Sequence, residues 1–312
     1  MEDKKHPLVS VPVITYNSAK TIVETLNSIY DQSYPRMELI VADDCSTDNT
    51  VEICQEWVAE HGKRFERVEV ISSKQNTGVA ANLNRGEDAC RGEWVKPIAG
   101  DDLLLPTCLQ DCMDYVEEHE DVVVLFSRCK AFGASKEWCE YIDKVFDYTF
   151  FSLSQEEQLR RLTFEENCIP AAAHFYDRKR VMELGIRNDE RIPMLEDWPK
   201  WINLLRVGVK FHFLDRETVG YRTGGISTGK PMNANQYKTS RLFFFYYQFP
   251  EWMKANKEKA IERVVEDECR MYLAYKESEK RVSQVLESKA YRVGKFLLKP
   301  VHAINEILNR KK

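Results

Sequence analysis

Leu8-Val9-Ser10-Val11-Pro12-Val13-Ile14 is a short apolar run that ends in Thr15-Tyr16-Asn17-Ser18 and gives way to the amphipathic stretch Ala19 to Gln32. A buried strand followed by a helix with one apolar face is the first half of a β-α-β unit. The alternation repeats outward along the chain. Glu38 to Ala42 reads as a second strand, Asp43-Asp44-Cys45-Ser46-Thr47-Asp48 as turn residues with a helix N-cap, and Val51 to His61 as a second helix. Val68 to Ser72 and Gly78 to Cys90 form a third pair, the helix opened by Asn76-Thr77-Gly78. Trp94 to Ala99 predicts a fourth strand, Pro106 to Glu118 a helix with proline tolerated in its first turn, and Val122 to Phe126 a further strand. The pattern predicts an α/β fold, a mostly parallel sheet flanked by helices, with ligands bound where the strands end.

From residue 134 to 225 the pattern is less regular and richer in aromatics. Ser154-Gln155-Glu156-Glu157 opens a helix to Glu165, Ile169 to Phe175 reads as extended, and Met194 to Pro199 leads into an amphipathic helix over Lys200 to Arg206. Val209 to Leu214 and Thr218 to Arg222 read as two late strands, and the run Phe243-Phe244-Phe245-Tyr246-Tyr247 as a helix packing a core. The expected division is an α/β domain over 1–230 and a helical C-terminal extension over 231–312.

With 312 residues, 43% hydrophobic and 30% charged, the chain is long enough for one substantial core and an appendage. A net charge of -5 argues against general nucleic-acid binding. Nine cysteines occur without CxxC pairs, which disfavours a zinc site and suits a reducing cytoplasm. Met1-Glu2-Asp3-Lys4-Lys5-His6-Pro7 lacks the apolar core of a signal peptide, and no apolar run approaches the roughly 18 residues needed to span a membrane.

No glycine-rich phosphate loop follows the first strand, so phosphate would be neutralised by a metal or by side chains. The fourth strand ends in Gly100-Asp101-Asp102, two adjacent carboxylates whose mutual repulsion and desolvation a divalent cation would relieve. Taken alone, the pair also reads as a loop that caps the helix after Pro106.

Val11-Pro12-Val13-Ile14-Thr15-Tyr16-Asn17, Leu39 to Asp48, Asn76-Thr77-Gly78-Val79-Ala80-Ala81-Asn82-Leu83-Asn84 and Gly100-Asp101-Asp102, in this order, resemble the glycosyltransferases of family 2, inverting enzymes of the GT-A fold. The resemblance covers residues 8 to 225 and departs at Cys45, where the family more often has glycine. It implies a sugar moved from a nucleotide diphosphate donor, expected to be UDP-hexose or UDP-N-acetylhexosamine, to a saccharide hydroxyl in the synthesis of a bacterial surface polysaccharide such as O-antigen or capsule. Pro12, Ile14, Tyr16, Asp43, Gly78, Asn82, Asp101 and Arg222 are then expected at the donor, with Tyr16 stacking on the base and Asp43 accepting from its N–H. Asp102 is the expected ligand of Mn2+ or Mg2+, hard cations that borrow phosphate oxygens and waters. Glu196-Asp197 resembles the family's ED motif, which makes Asp197 the expected general base, although a helix N-terminus also favours a carboxylate there. Glu196, His174 and Trp198 are expected on the acceptor side, with His174 equally readable as structural. Tyr221-Arg222-Thr223-Gly224-Gly225-Ile226-Ser227 resembles the segment that closes over the diphosphate, and Arg222 alternatively pairs with a surface carboxylate.

Residues 288–312 carry seven Lys/Arg against one acid, bordering an apolar stripe of Val293, Phe296, Leu297, Val301, Ile304, Ile307 and Leu308. Such a basic amphipathic segment suits an anionic membrane surface, as expected of a cytoplasmic enzyme peripheral to the inner face of the membrane with a lipid-linked acceptor. Packing on the chain's own core, or a homodimer contact, fits the same pattern. Two other classes share parts of the sequence signature. A catalytically silent binding module of the same fold need not keep Tyr16, Asp43, Asp101, Asp102 and Asp197 together, and a sugar-phosphate nucleotidyltransferase would carry a Gly-rich basic N-terminal signature.

Overall fold

The computed structural model describes residues 6–133, 135–192, 194–223 and 234–255. The expected Gly224–Ser227 loop and the basic tail 288–312 lie outside them. Two compact units divide the chain, residues 1–229 and 230–312.

In the first unit, β1 (Val9–Thr15), β2 (Met37–Asp43) and β3 (Arg67–Ser72) alternate with helices α1 (Ile22–Tyr30), α2 (Thr50–His61) and α3 (Val79–Ala89). β1 and β2 run parallel with Val9 beside Met37 and Thr15 beside Asp43, so the two strands end level and their turns leave the sheet together. Val9, Val11 and Val13 pack with Ile22, Leu26, Ile29, Leu39 and Val41 in one apolar core. Burial on both faces is what makes these strands near-continuous apolar runs. α3 lies close on the sheet because Gly86 faces it; a Cβ there would stand 3.3 Å from Pro12 Cβ and from Ala42 Cβ.

The fourth strand departs from expectation. It is split into β4 (Trp94–Val95) and β5 (Ile98–Ala99). Both pieces pair with β1, Val9 and Ser10 with Trp94 and Val95, then Val13 and Ile14 with Ile98 and Ala99. The gap holds Pro12 on one side and Pro97 on the other, and neither has an N–H to give the ladder. Lys96 sits in the same gap, fully buried, and its ammonium donates to the carbonyls of Ala172 and, at 3.2 Å, His174.

Beyond the paired aspartates come β6 (Leu103–Leu104), α4 (Cys108–Glu118), β7 (Val124–Phe132), α5 (Lys136–Val145) and α6 (Gln155–Phe164), then β8 (His174–Asp177), α7 (Arg178–Glu183), α8 (Asp197–Arg206) and β9 (Phe211–Arg222). The sheet order is β3-β2-β1-β4-β8-β7-β9-β6, with β5 beside β1. β8 is antiparallel to β4 and β7, and β6 to β9, while the remaining pairs are parallel. The two late strands expected at 209–214 and 218–222 are one strand, β9, whose pairing with β7 shifts register around Arg128. That irregularity absorbs the polar Asp215-Arg216-Glu217 stretch that separates the two expected strands. The extended reading of Ile169 to Phe175 gives way to a 3-10 turn at Ala171–Ala173, and α8 starts at Asp197 rather than Lys200.

In the second unit, α9 (Ala234–Phe243) passes through a π-helical turn at Phe244–Gln248 into α10 (Phe249–Ala255). Phe243, Phe244 and Tyr247 of the aromatic run are buried.

At the far end of β1 and β2, the buried Glu38 carboxylate accepts from Ser10 Oγ at 2.5 Å, Arg67 Nη1 at 3.0 Å and Gly92 N at 3.0 Å. Burial pushes its pKa up, but these donors and the Arg91 N–H outweigh it and hold the carboxyl below its ordinary value. A Cβ on Gly92 would stand 2.6 Å from Leu8 O and from Ser10 Oγ. Gly92→Ala is therefore expected to destabilise the protein by about 1–3 kcal/mol, since backbone must shift to admit the methyl. Urea unfolding of the two proteins checks it; an unchanged midpoint would contradict the packing.

Candidate active site

Level ends on β1 and β2 bring Tyr16 and Asp44 out of the sheet side by side, and Asp44 N donates to Thr15 O at 3.0 Å. Asp43, 1% exposed, is engaged by its own turn: Oδ2 accepts from Ser46 N at 2.9 Å and Ser72 Oγ at 3.1 Å, and Oδ1 from Ser46 Oγ. Ser46 Oγ also accepts from Asn17 N at 2.8 Å, and Asn17 Oδ1 accepts from Thr47 N at 2.8 Å. Asn17 and Cys45 both adopt left-handed backbone, φ 53° and 65°, which accounts for the preference for glycine at the position Cys45 occupies. Tyr16, at 40%, is exposed beside this lattice.

Asp44 is more than a turn former. Its carboxylate accepts from Gly78 N at 2.7 Å and from Thr77 Oγ1 at 2.6 Å and Thr77 N, fastening the loop that opens α3 to the end of β2. Gly78, with φ 89°, makes the left-handed bend that this attachment requires. Pro12 and Asn82, expected at the donor, have structural contacts as well. Pro12 is buried inside β1 against Gly86, and buried Asn82 donates to Ala42 O at 2.8 Å while accepting from Arg85 at 2.6 Å, so both hold the sheet end together.

A cavity of about 560 Å³ lies beyond these turns, lined by Ile14, Asp101, Asp102, Arg222, His174, Glu196, Asp197 and Trp198 among the expected residues. Pro12, Tyr16, Asp43, Gly78 and Asn82 are not in its wall. Sequence reading missed Asn167 and Trp201, which are.

Asp102 is 4% exposed, and its Oδ1 accepts from Arg222 N at 2.8 Å. Arg222 Nε donates to Asp101 O at 2.7 Å, its Nη2 pairs with Glu24 Oε2 at 2.5 Å, and its guanidinium lies 4.5 Å from the Phe132 ring centre. Arg222 thus braces the aspartate pair as well as meeting a surface carboxylate. Burial raises the Asp101 pKa, and burial together with the Asp101 charge pushes Asp102 up to about 8. Two oxygen-donor carboxyls that resist ionising side by side fit a hard divalent cation. Among the described residues no group of three His, Cys, Asp or Glu could hold a metal, so such an ion would complete its shell from phosphate and water.

Glu196 and Asp197 open α8, where the helix dipole favours negative charge. Asn167 Nδ2 donates to Asp197 Oδ2 at 2.7 Å, and Trp198 Nε1 donates to Leu162 O at 2.7 Å. Burial raises both carboxyls, and for Glu196 the Asp197 charge adds to it, giving a value of about 7. His174 Nδ1 lies 2.6 Å from Ala171 O; a carbonyl only accepts, so the proton sits on Nδ1. Burial and the nearby Lys200 and Lys96 charges hold this histidine neutral, and its buried Nε2 has no hydrogen-bond partner among the described residues.

Residues 10–185 match the family model described as Glycosyl transferase family 2. A Bacillus subtilis protein assigned as the teichuronic acid biosynthesis glycosyltransferase TuaG is 26% identical over 242 residues, 78% of this chain and 88% of that protein. The poly(ribitol-phosphate) beta-N-acetylglucosaminyltransferase TarS of Staphylococcus aureus is 34% identical over 118 residues, 37% of this chain but 20% of that protein. The crystal structure of S. aureus TarS 1-349 in complex with UDP-GlcNAc superposes with a TM-score of 0.61 at 20% identity, covering 90% of this chain and 77% of that one, and so shares the fold.

Proposed function

Because the chain belongs to glycosyl transferase family 2 and has its GT-A fold, we propose that it transfers a sugar from a UDP-linked donor to a hydroxyl of a saccharide acceptor, inverting the anomeric carbon. The observation that carries this reading is one cavity lined by both the Asp101–Asp102 pair and the Glu196–Asp197 pair. An inverting displacement needs that combination: stabilisation of the leaving diphosphate and a carboxylate to take the acceptor's proton.

A divalent cation held by Asp101 and Asp102 would neutralise charge on the departing nucleoside diphosphate. Arg222 positions that pair through its backbone N–H and its Nε. Tyr16 offers a ring to the base, while the Asp43–Ser46–Asn17 lattice and the Asp44 clamp keep the surrounding turns rigid, so less order is lost on binding. Asp197 takes the acceptor proton, and Trp198 and His174 shape the space in which that hydroxyl lies. The printed names of TuaG and TarS support a role in building a cell-surface polysaccharide. Residues 1–230 would carry catalysis. Among the described residues no helix is long and apolar enough to cross a membrane, and membrane attachment is assigned to the basic tail.

Nucleotide sugars screened for thermal stabilisation with Mn2+ test the donor. At 100-fold excess over Kd, a bound ligand adds about 2.7 kcal/mol, a rise of several degrees in Tm. UDP-sugars are expected to give that rise and GDP- or CMP-sugars not. A protein stabilised by a UDP-sugar that neither hydrolyses it nor passes it to any glycan would instead be a binding module.

A further inference from the structure

Two neighbouring carboxyls, Glu196 and Asp197, line the cavity, yet among the described residues only Asp197 receives a side-chain amide hydrogen bond. Asn167 Nδ2 donates to Asp197 Oδ2 at 2.7 Å while Asn167 Oδ1 accepts from Ile169 N at 3.1 Å. This fixes the amide's orientation, because a flip would set its oxygen against the carboxylate and its NH2 against the Ile169 N–H. We propose that Asn167 is a positioning residue that selects Asp197 over Glu196 as the carboxylate taking the acceptor's proton. The proposal rests on Asp197 being the base and adds what makes it so.

A donor to a carboxylate stabilises its charged form, and among the described residues no equivalent side-chain donor reaches Glu196. Burial raises Asp197, and the Asn167 hydrogen bond is the leading influence that opposes it. Burial and the Asp197 charge raise Glu196 in turn. Of the two neighbouring carboxyls, Asp197 is thus the one whose charged form a side-chain donor stabilises. One Asp197 oxygen is held by Asn167, which fixes the direction in which the remaining lone pairs meet an acceptor hydroxyl. The other charged or titratable groups around the cavity do not distinguish the two carboxyls in this way: Glu166 is exposed, His174 is neutral, Lys200 is bound to Glu87 at 2.8 Å, and Asp102 and Arg222 hold each other.

Carbon-13 NMR of the full-length protein labelled at the aspartate carboxyl reports the Asp197 titration without any substrate, the resonance being identified by its loss in Asp197→Asn. Asn167→Ala is expected to raise the Asp197 pKa by at least about one unit, a tenfold loss of charged form on the acid side. Glu196→Gln is expected to lower it, and the acid limb of the pH–rate profile should move with each. If the alanine variant does not fold, Asn167→Ser serves, since its hydroxyl can still accept from Ile169 N but is too short to reach Asp197. An unmoved Asp197 titration in the folded variant overturns the role of Asn167, whereas transfer surviving in Asp197→Asn overturns the base assignment itself.

Discussion

Asp197→Asn binds the donor as the wild type does and loses transfer by about 10²- to 10⁴-fold, the usual contribution of a positioned general base. The amide keeps the volume of the carboxylate and can still accept from Asn167 Nδ2 through its oxygen, so the cavity wall is preserved. Only proton acceptance is removed. Donor affinity, read by Mn2+-dependent thermal shift with UDP, stays constant because the groups proposed to hold the donor come from other elements: Asp101 and Asp102 follow β5 and Arg222 ends β9. Transfer to a saccharide primer, measured by product mass, falls. A variant that loses donor binding in step with transfer would place Asp197 on the donor instead, and the base would have to be sought elsewhere.

Asp102→Asn fails earlier, at the donor. Loss of charge here is expected to cost at least about 10³-fold in transfer, since a cation's stabilisation of a leaving diphosphate amounts to several kcal/mol. Mn2+ should no longer raise the Tm of the UDP mixture. Asp101→Asn should lose less, as Asp102 is the more buried of the two and meets Arg222 directly. The ligand-free variant carries a second signature. A carboxyl raised from 3.8 to about 8 contributes stability fully present below 3.8 and lost as pH rises through 8. Removing the ionisable group should therefore make the ligand-free protein more resistant to heat than the wild type, increasingly so as pH rises across that window. Transfer by Asp102→Asn at the wild-type rate in the presence of chelator would refute the assignment.

The parallel half of the sheet was legible because burial on both faces forces apolar runs and the intervening helices show one apolar face. Asp101, Asp102, Glu196 and Asp197 were legible as carboxyls at element ends. What escaped depended on distance in sequence. Asn167 looks like any loop asparagine until the chain brings it to Asp197, thirty positions on. Nothing local separates Asp43, turned into its own Ser46 and Ser72, from Asp44, which holds Thr77 and Gly78. The packing of Pro12 against Gly86 and the Asn82 bond to Ala42 O are likewise invisible in the motif's letters. The split of the fourth strand was visible only as a pair, Pro12 and Pro97, once β1 lay beside it.

Lys96 bears on the order in which the protein can assemble. Its ammonium sits at the centre of the sheet, and the carbonyls that satisfy it belong to residues 76 and 78 positions later. Until Ala172 and His174 arrive, closing the sheet over Lys96 would strand a charge without partners, which costs several kcal/mol. A nascent chain that has already made β1 to β5 is thus held open until the turn at Ala171–Ala173 exists. The two sides of the cavity consolidate in one cooperative step, and a fragment ending before residue 170 should not fold independently.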